Sequence, residues 1–521
     1  MPRSNFPWSG LGLAVVLLVA LCLRLPGLNA ESLSSDELFI VDHALGVLKS
    51  GYPHRSLSGF EYRLFTYELV PYPLAVVLGF FGLQEGSLRL VSLLWGLAAT
   101  ALLYLAGRRL WDGLTGFVAA LIYACSPWAV CWSQNLFHPA QDQFMAFLTM
   151  YLFYRGAIQS PDLNRPYLVA AGAAFPLTYL SWEGTGFLLP AFLLSLFVFR
   201  RQNWNWMKSG VLWGIALTAL VVVFLEMCWR LTAIPSYLLV GEELNYSTTP
   251  MSAFLLPDHD FWFFWRQFLW GENRALLSAA ALAGLPLAWR DRALAYFLVL
   301  TGTVLFLLTF FMEHLISHYF YFLFPGLILA AARTLLTYLR WAGELAALRA
   351  PWLRVGLAGA VLALFLAGAN SLGLNLQRLP YPSEDEPFHE RRNYAWIDFR
   401  GADRFLLQNH PPGEILSTNA LHLHLFHRVV SPLATQERPM VTEFIDFRSQ
   451  PAVFREKYTG ARVLKSRREL EEAFCRHPRL YLTLNAYRRL ADADPLFWSW
   501  LQSRCTNLFF SYDTAVMLWH R

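Results

Sequence analysis

Charge is what this sequence lacks. Only 15% of its 521 residues are Asp, Glu, Lys or Arg, against about 25% in soluble domains. With 56% hydrophobic residues, too little polar surface remains to cover the chain in water, which excludes a soluble globular protein. The net charge is only +5 and the basic residues are scattered, which argues against a nucleic-acid binder. Cysteine is scarce as well, six in the whole chain, too few for a disulfide framework. Cys22, Cys125, Cys131 and Cys228 stand in or beside apolar runs, where Cys acts as a small hydrophobe. Pairing of Cys475 with Cys505 is open in an oxidising compartment. No Walker loop, dinucleotide fingerprint, HExxH or GxSxG occurs at a credible position.

What is there is a series of apolar runs, each near the length that carries a helix across about 30 Å of hydrocarbon. They fall at Leu11–Leu28, Leu88–Ala106, Leu114–Trp132, Phe144–Tyr154, Tyr167–Leu180 and Thr185–Phe199. Further runs follow at Gly210–Met227, Ala275–Ala288, Ala293–Met312, Tyr319–Leu339 and Val355–Leu374. The fold expected is a mostly α, polytopic transmembrane helical bundle of about 11 spans. The first run lacks a small-residue cleavage site and reads as a retained span rather than a signal peptide. Arg3, Arg108, Arg109, Arg155, Arg165, Arg200, Arg201, Lys208, Arg290, Arg292, Arg340, Arg349 and Arg354 mark alternate loops. Those loops are expected to be cytoplasmic, as is the N-terminus. The loop from Asn29 to Gly86 instead carries seven acidic residues and three basic ones, and is assigned to the outer face. Within it LVPYPLAVVLGFFG, Leu69–Gly82, is short and holds two prolines. It reads as a half-helix embedded at that face, lining a cavity.

Two domains are expected: residues 1–375 in the membrane, with 29–86 as the first outer loop, and 376–521 as a small extracytoplasmic α/β domain. In the latter, EILSTNALHLHLF and PRLYLTLNAY read as strands and TNLFFSYDTAVMLW as a closing hairpin. SRRELEEAFCRH reads as an amphipathic helix. FWFFWRQFLW, Phe261–Trp270, reads as a helix lying in the outer interface. His422, His424 and His427 imitate a zinc cluster, but no Cys or acidic ligand stands at supporting spacing.

Titratable groups collect in four outer loops. Ser35-Asp36-Glu37 and Asp42 follow Arg24 in the first. Adjacent carboxylates at a membrane surface are costly to bury unpaired, although Ser35 or Asp36 also suits the cap of the helix ELFIVDHALGVLK. His138 and Asp142 occupy the second loop, Glu183 the third, and Glu313, His314 and His318 precede Tyr319 in the fourth. Together they suggest a shared site in a cavity at one face.

The order of these features resembles the GT-C membrane glycosyltransferases: a first span ending in Arg, an outer loop with Asp-Glu, then a Pro-interrupted apolar segment. FGLQEGSLRLVSLLWGLAATALLYLAGRRLWD, Phe81–Asp112, and GFVAALIYACSPWAVCWSQ after it are similar to the protein-mannosyltransferase-like branch, which includes aminoarabinose transferases of lipid A. HYFYFLFPGLILAAARTL from His318 is similar to a late span of that branch. The resemblance implies an inverting transfer of a monosaccharide from a polyprenyl-phosphate donor, undecaprenyl phosphate in bacteria, to a protein, lipid or glycan acceptor. It implies Asp36 as general base with Glu37 in support. Arg24, Arg63, Arg89, His318 and Tyr319 become candidates for the donor phosphate. His138, Asp142, Glu183 and His314 become candidates for acceptor or metal support. If a divalent metal takes part, Mg or Mn, its ligands are sought among Glu37, Asp142 and His138. His318 stands where the family often has Arg, and no Lys follows the Asp-Glu pair, which disfavours the lipid A subgroup. A multi-pass protein of the inner (plasma) membrane is expected, with its C-terminal domain periplasmic. An oligosaccharide or polymer ligase of the same architecture is the alternative. A transporter is disfavoured because no inverted repeat is evident.

Overall fold

The computed structural model describes residues 9–29, 32–57, 60–63, 67–238, 260–270, 275–312, 317–345, 359–360, 363, 399–408, 414–417, 441–445, 462–485, 494–511 and 514–520. His422, His424, His427, Glu313 and His314 lie outside them, as does nearly all of the expected span Val355–Leu374.

Within the described residues the apolar runs are helices. α1 (Ser9–Arg24) leads to α2 (Ser35–Ser50) and a hairpin of β1 (His54–Leu57) and β2 (Phe60–Arg63), paired His54 to Arg63. α3 (Pro71–Phe81) is the expected Pro-started apolar helix, and it is 11 residues long. α4 (Glu85–Leu88) and α5 (Leu90–Leu110) follow. α6 (Gly113–Cys125) and α7 (Pro127–Ser133) are one apolar stretch bent by 64° at Ser126. The break falls before Pro127, whose ring disfavours helical backbone at the residue preceding it. Next come α8 (Pro139–Phe153), α9 (Arg165–Ser181), a 3-10 turn at Glu183–Phe187, α10 (Leu188–Phe199) and α11 (Gly210–Leu238). α12 (Phe263–Leu269) falls within the stretch Phe261–Trp270 expected to be helical. α13 (Ala275–Leu282), α14 (Leu285–Ala288), α15 (Arg292–Phe311), a 3-10 turn at Ser317–Leu323 and α16 (Phe324–Leu345) complete the bundle.

Among the described residues five helices are long and apolar enough to cross a bilayer, six if the bent pair counts as one span. The expected spans Phe144–Tyr154, Tyr167–Leu180 and Thr185–Phe199 correspond to shorter continuous helices, and Ala275–Ala288 is two short helices broken near Gly284. Small residues let the helices approach closely: a Cβ on Gly107 would lie 2.7 Å from the Gly116 Cα across the α5–α6 contact. At the far end of α5, Arg340 pairs with Asp112 at 2.7 Å and Arg333 with Asp291 at 2.8 Å. This end of the bundle is the basic one.

The C-terminal part is a six-stranded mixed sheet flanked by helices. Its elements are α17 (Phe399–Gln408), β3 (Glu414–Ser417), β4 (Val441–Ile445), β5 (Arg462–Leu464), α18 (Arg467–Arg476), β6 (Arg479–Asn485), α19 (Pro495–Arg504), β7 (Thr506–Ser511) and β8 (Thr514–His520). The strand order is β5-β4-β3-β6-β8-β7, parallel from β5 to β6 and antiparallel at β8 and β7. Alternation along β6 explains why both faces are covered. Leu480, Leu482 and Leu484 pack with Leu470, Phe474 and Leu501 of α18 and α19, while Tyr481 packs with Ala402 and Leu406 of α17. The expected β6, hairpin and α18 are present. Cys475 is exposed, Cys505 buried, and both are free thiols.

Candidate active site

The site is built around the first turn of α2. Ser34, not Ser35 or Asp36, caps it. The Ser34 hydroxyl accepts from the Glu37 amide, and the Glu37 carboxylate accepts from the Ser34 amide at 2.8 Å. This reciprocal box satisfies two of the amides that a helix N-terminus leaves over. Asp36 lies between the two members of this box and is half-buried, in the first turn at the positive end of the helix dipole.

Glu37 is committed elsewhere. Its carboxylate receives Arg89 Nε at 2.8 Å and Nη2 at 2.9 Å, and the Leu136 amide at 3.0 Å. With the Ser34 amide this makes four donors on two oxygens, which fills the carboxylate's lone-pair capacity. Arg89 also donates to the carbonyls of Leu28 (3.0 Å) and Ser32 (3.1 Å). Both side chains are almost fully buried. Two expectations are therefore revised: Arg89 acts as the structural partner of a buried carboxylate rather than as a phosphate donor, and Glu37 holds the loop instead of a metal.

Arg24 is revised on the same grounds. It is wholly buried, and its Nε donates to the Ser133 hydroxyl at 3.1 Å. Its terminal nitrogens donate to the carbonyls of Ala20 (3.2 Å), Ala124 (2.8 Å) and Tyr123 (3.4 Å). A cation against the last carbonyls of α6 suits that helix's negative end and fixes the bend at Ser126. Gly96 makes the room: a Cβ there would fall on the Ser133 hydroxyl and lie 3.3 Å from Arg24 Nε.

Beside the Glu37 clamp, the chain from Leu136 enters an aromatic box around His138. Nδ1 of His138 hydrogen-bonds the Asp142 carboxylate one helical turn on. The imidazole stacks on Tyr67 (ring centroids 4.6 Å apart) and on Trp182 (5.4 Å). Phe137 and His318 meet it edge-on at 4.3 Å and 5.3 Å. Tyr319 stacks on the other side of Trp182 at 4.9 Å. His138 Nε2, Asp142 Oδ1 and His318 Nδ1 are buried without a hydrogen-bond partner among the described residues. Burial pushes the His138 imidazole down to about 3, against the opposing charge of Glu183, so the ring is neutral at ordinary pH. With Nδ1 bonded to Asp142, Nε2 is the ring atom open to a ligand.

The structure thus brings His138, Asp142, Glu183, His318 and Tyr319 together, next to the Asp36 turn. Arg63 lies on β2, its side chain outside the described residues. Among the described residues no three His, Cys, Asp or Glu side chains are arranged to hold a metal. Since Glu37 is saturated by four donors, the expected ligand trio does not fit one.

Three residues escaped the sequence. Tyr67 has φ of 57°, a left-handed conformation that costs a non-glycine residue about 1–3 kcal/mol. Leu69 N–H to Leu180 O at 2.9 Å pins the chain beside it. No sequence signal marks that strain. Glu226 accepts from the Tyr179 hydroxyl at 2.9 Å, buried in α11. A lone carboxylate in an apolar run was a legible sign of function. Arg400, in α17, reaches the first loop and is taken up below.

Residues 69–229 match the family model described as dolichyl-phosphate-mannose-protein mannosyltransferase. No curated protein matches in sequence. ArnT from Cupriavidus metallidurans bound to undecaprenyl phosphate is similar in structure, with TM-score 0.61 and 14% identity over 99% of this chain and 98% of that one. The archaeal oligosaccharyltransferase AglB from Archaeoglobus fulgidus, in complex with an inhibitory peptide and a dolichol-phosphate, gives 0.51 at 14% identity over 92% and 69%. An oligosaccharyltransferase from Archaeoglobus fulgidus in complex with Zn and sulfate gives 0.53 at 13% identity over 91% and 68%. This chain therefore shares the fold of ArnT along nearly its whole length, and residues 69–229 match the dolichyl-phosphate-mannose-protein mannosyltransferase family model.

Proposed function

We propose that this chain transfers a sugar, with inversion, from a polyprenyl-phosphate donor to an acceptor hydroxyl at the extracytoplasmic membrane face. The observation that carries the proposal is the placement of Asp36. It sits in a turn immobilised by the Ser34–Glu37 box and the Glu37–Arg89 pair, beside a buried polar cluster. Support for the donor class comes from the relatives, whose structures hold undecaprenyl phosphate and dolichol-phosphate.

In this account Asp36 accepts the proton of the attacking hydroxyl as its oxygen bonds to the anomeric carbon. The bond from that carbon to the phosphate oxygen breaks, and the electron pair leaves with the lipid phosphate. A carboxylate suits the task because only partial proton removal is needed as the sugar becomes oxocarbenium-like. Glu37 and Arg89 position the base. With Arg24 and Arg89 occupied by buried protein acceptors, Arg63 and His318 are proposed for the leaving phosphate, with Tyr319 beside His318. His138, Asp142 and Glu183 are proposed to orient the acceptor. The division at 375 into membrane and extracytoplasmic domains is part of the same proposal. So are the cytoplasmic N-terminus and the inner-membrane location, which the basic end of the bundle supports.

Mass spectrometry of glycolipids and glycoproteins from cells with and without the chain tests this directly. One sugar modification should vanish while the unmodified acceptor and the charged lipid donor accumulate. Identical glycan profiles would overturn the proposal.

A further inference from the structure

Arg400 stands in the first turn of α17, where a helix leaves backbone amides without intrahelical partners. Its amide donates to the Ser32 hydroxyl at 3.1 Å, so a residue of the first outer loop serves the N-terminus of a helix 368 residues away. Its guanidinium pairs with Glu85 and reaches the Asn29 carbonyl at 3.4 Å. The pair is largely buried, at 18% and 17% exposure, and is therefore less screened than a surface ion pair.

Ser32 faces both ways. Its carbonyl accepts from Arg89 Nη2, and Arg89 holds Glu37 in two-point contact. An unbroken series of hydrogen bonds thus leads from α17 through Ser32, Arg89 and Glu37 to the turn that carries Asp36. At its other end α17 is fixed to the sheet, with Ala402 and Leu406 against Tyr481 and Val516 and Phe405 stacked on Phe509 at 5.3 Å.

We propose that Arg400 and Glu85 are positioning residues through which the C-terminal domain sets the geometry of the Asp36 turn. Movement of α17, by whatever the sheet domain binds, is transmitted to the base. The catalytic part of this inference rests on Asp36 as general base; the mechanical part does not.

Hydrogen exchange on the full chain in lipid vesicles separates the two. The reporters are the amides of Glu37, Leu38 and Leu136, all bonded within the clamp. R400E and E85R should each speed their exchange about 10-fold while α15 is unchanged, and the double variant R400E/E85R should restore it. S32A, which removes the bridge without altering charge, should act similarly and serves if the charge variants fail to fold. In sugar transfer, R400E should lower kcat about 10-fold and leave the donor KM within about 2-fold. Unchanged exchange in R400E and S32A, or a double variant as loose as the singles, overturns the proposal. If D36N keeps full transfer while the exchange results hold, the assignment of the base is at fault and the coupling stands.

Discussion

Arg89 and Glu37, 52 residues apart in the chain, meet in a buried two-point ion pair, Nε to Oε1 at 2.8 Å and Nη2 to Oε2 at 2.9 Å. The pair divides the labour of two adjacent carboxylates. Glu37 is spent on architecture, and the proposed base is its neighbour Asp36.

Removing one partner of such a pair strands the other charge in a low-dielectric setting, at a cost of about 3–5 kcal/mol. E37Q should therefore lower the unfolding temperature of the protein in detergent and abolish most transfer. R89M should do the same, and the double variant should lose less than the two singles summed. Additive losses in that cycle would deny the coupling.

Arg24 closes the first span, as the family pattern leads one to expect of a phosphate ligand, yet its donors point at Ser133 and the end of α6. R24M should cost about 3 kcal/mol of stability while the folded fraction binds undecaprenyl phosphate within about 2-fold of wild type. Loss of lipid-phosphate affinity in folded R24M, followed by native mass spectrometry, would return Arg24 to the phosphate site.

His138 is held neutral by burial, its pKa at about 3, below the ordinary value near 6.5. The sign follows from the folded state binding the proton less well. Its contribution to stability is complete above about 6.5 and drains as the pH falls toward 3. H138Q should thus raise stability at about pH 4 relative to pH 7, against the opposite slope that the raised Asp142 carboxyl contributes. Between about pH 5 and 8 it should lower the transfer rate without changing the shape of the pH profile. A limb of that profile that disappears in H138Q would show the ring titrating in function.

Much of this was legible in the sequence because it depends on local rules. Apolar length fixed the helices, and Pro71, Pro127 and Pro139 opened three of them at N1 or N2. The strand alternation of residues 479–485 was visible for the same reason. Ser34-x-x-Glu37 is itself a capping signature, overlooked beside the more conspicuous Asp-Glu pair. The division of roles was not legible, because it requires knowing that Arg89 and Leu136 converge on the Glu37 carboxylate from distant parts of the chain. The β1–β2 hairpin had a local sign in Ser58-Gly59 between short runs, whereas no local sign marks the left-handed backbone of Tyr67.

The most direct measurement compares D36N with wild type for transfer from polyprenyl-phosphate sugar in vesicles, alongside lipid-phosphate binding. A positioned general base contributes about 100- to 10,000-fold. The account predicts a loss of that size in rate with binding intact and the Glu37 clamp still protected from hydrogen exchange. Wild-type turnover by D36N would contradict it.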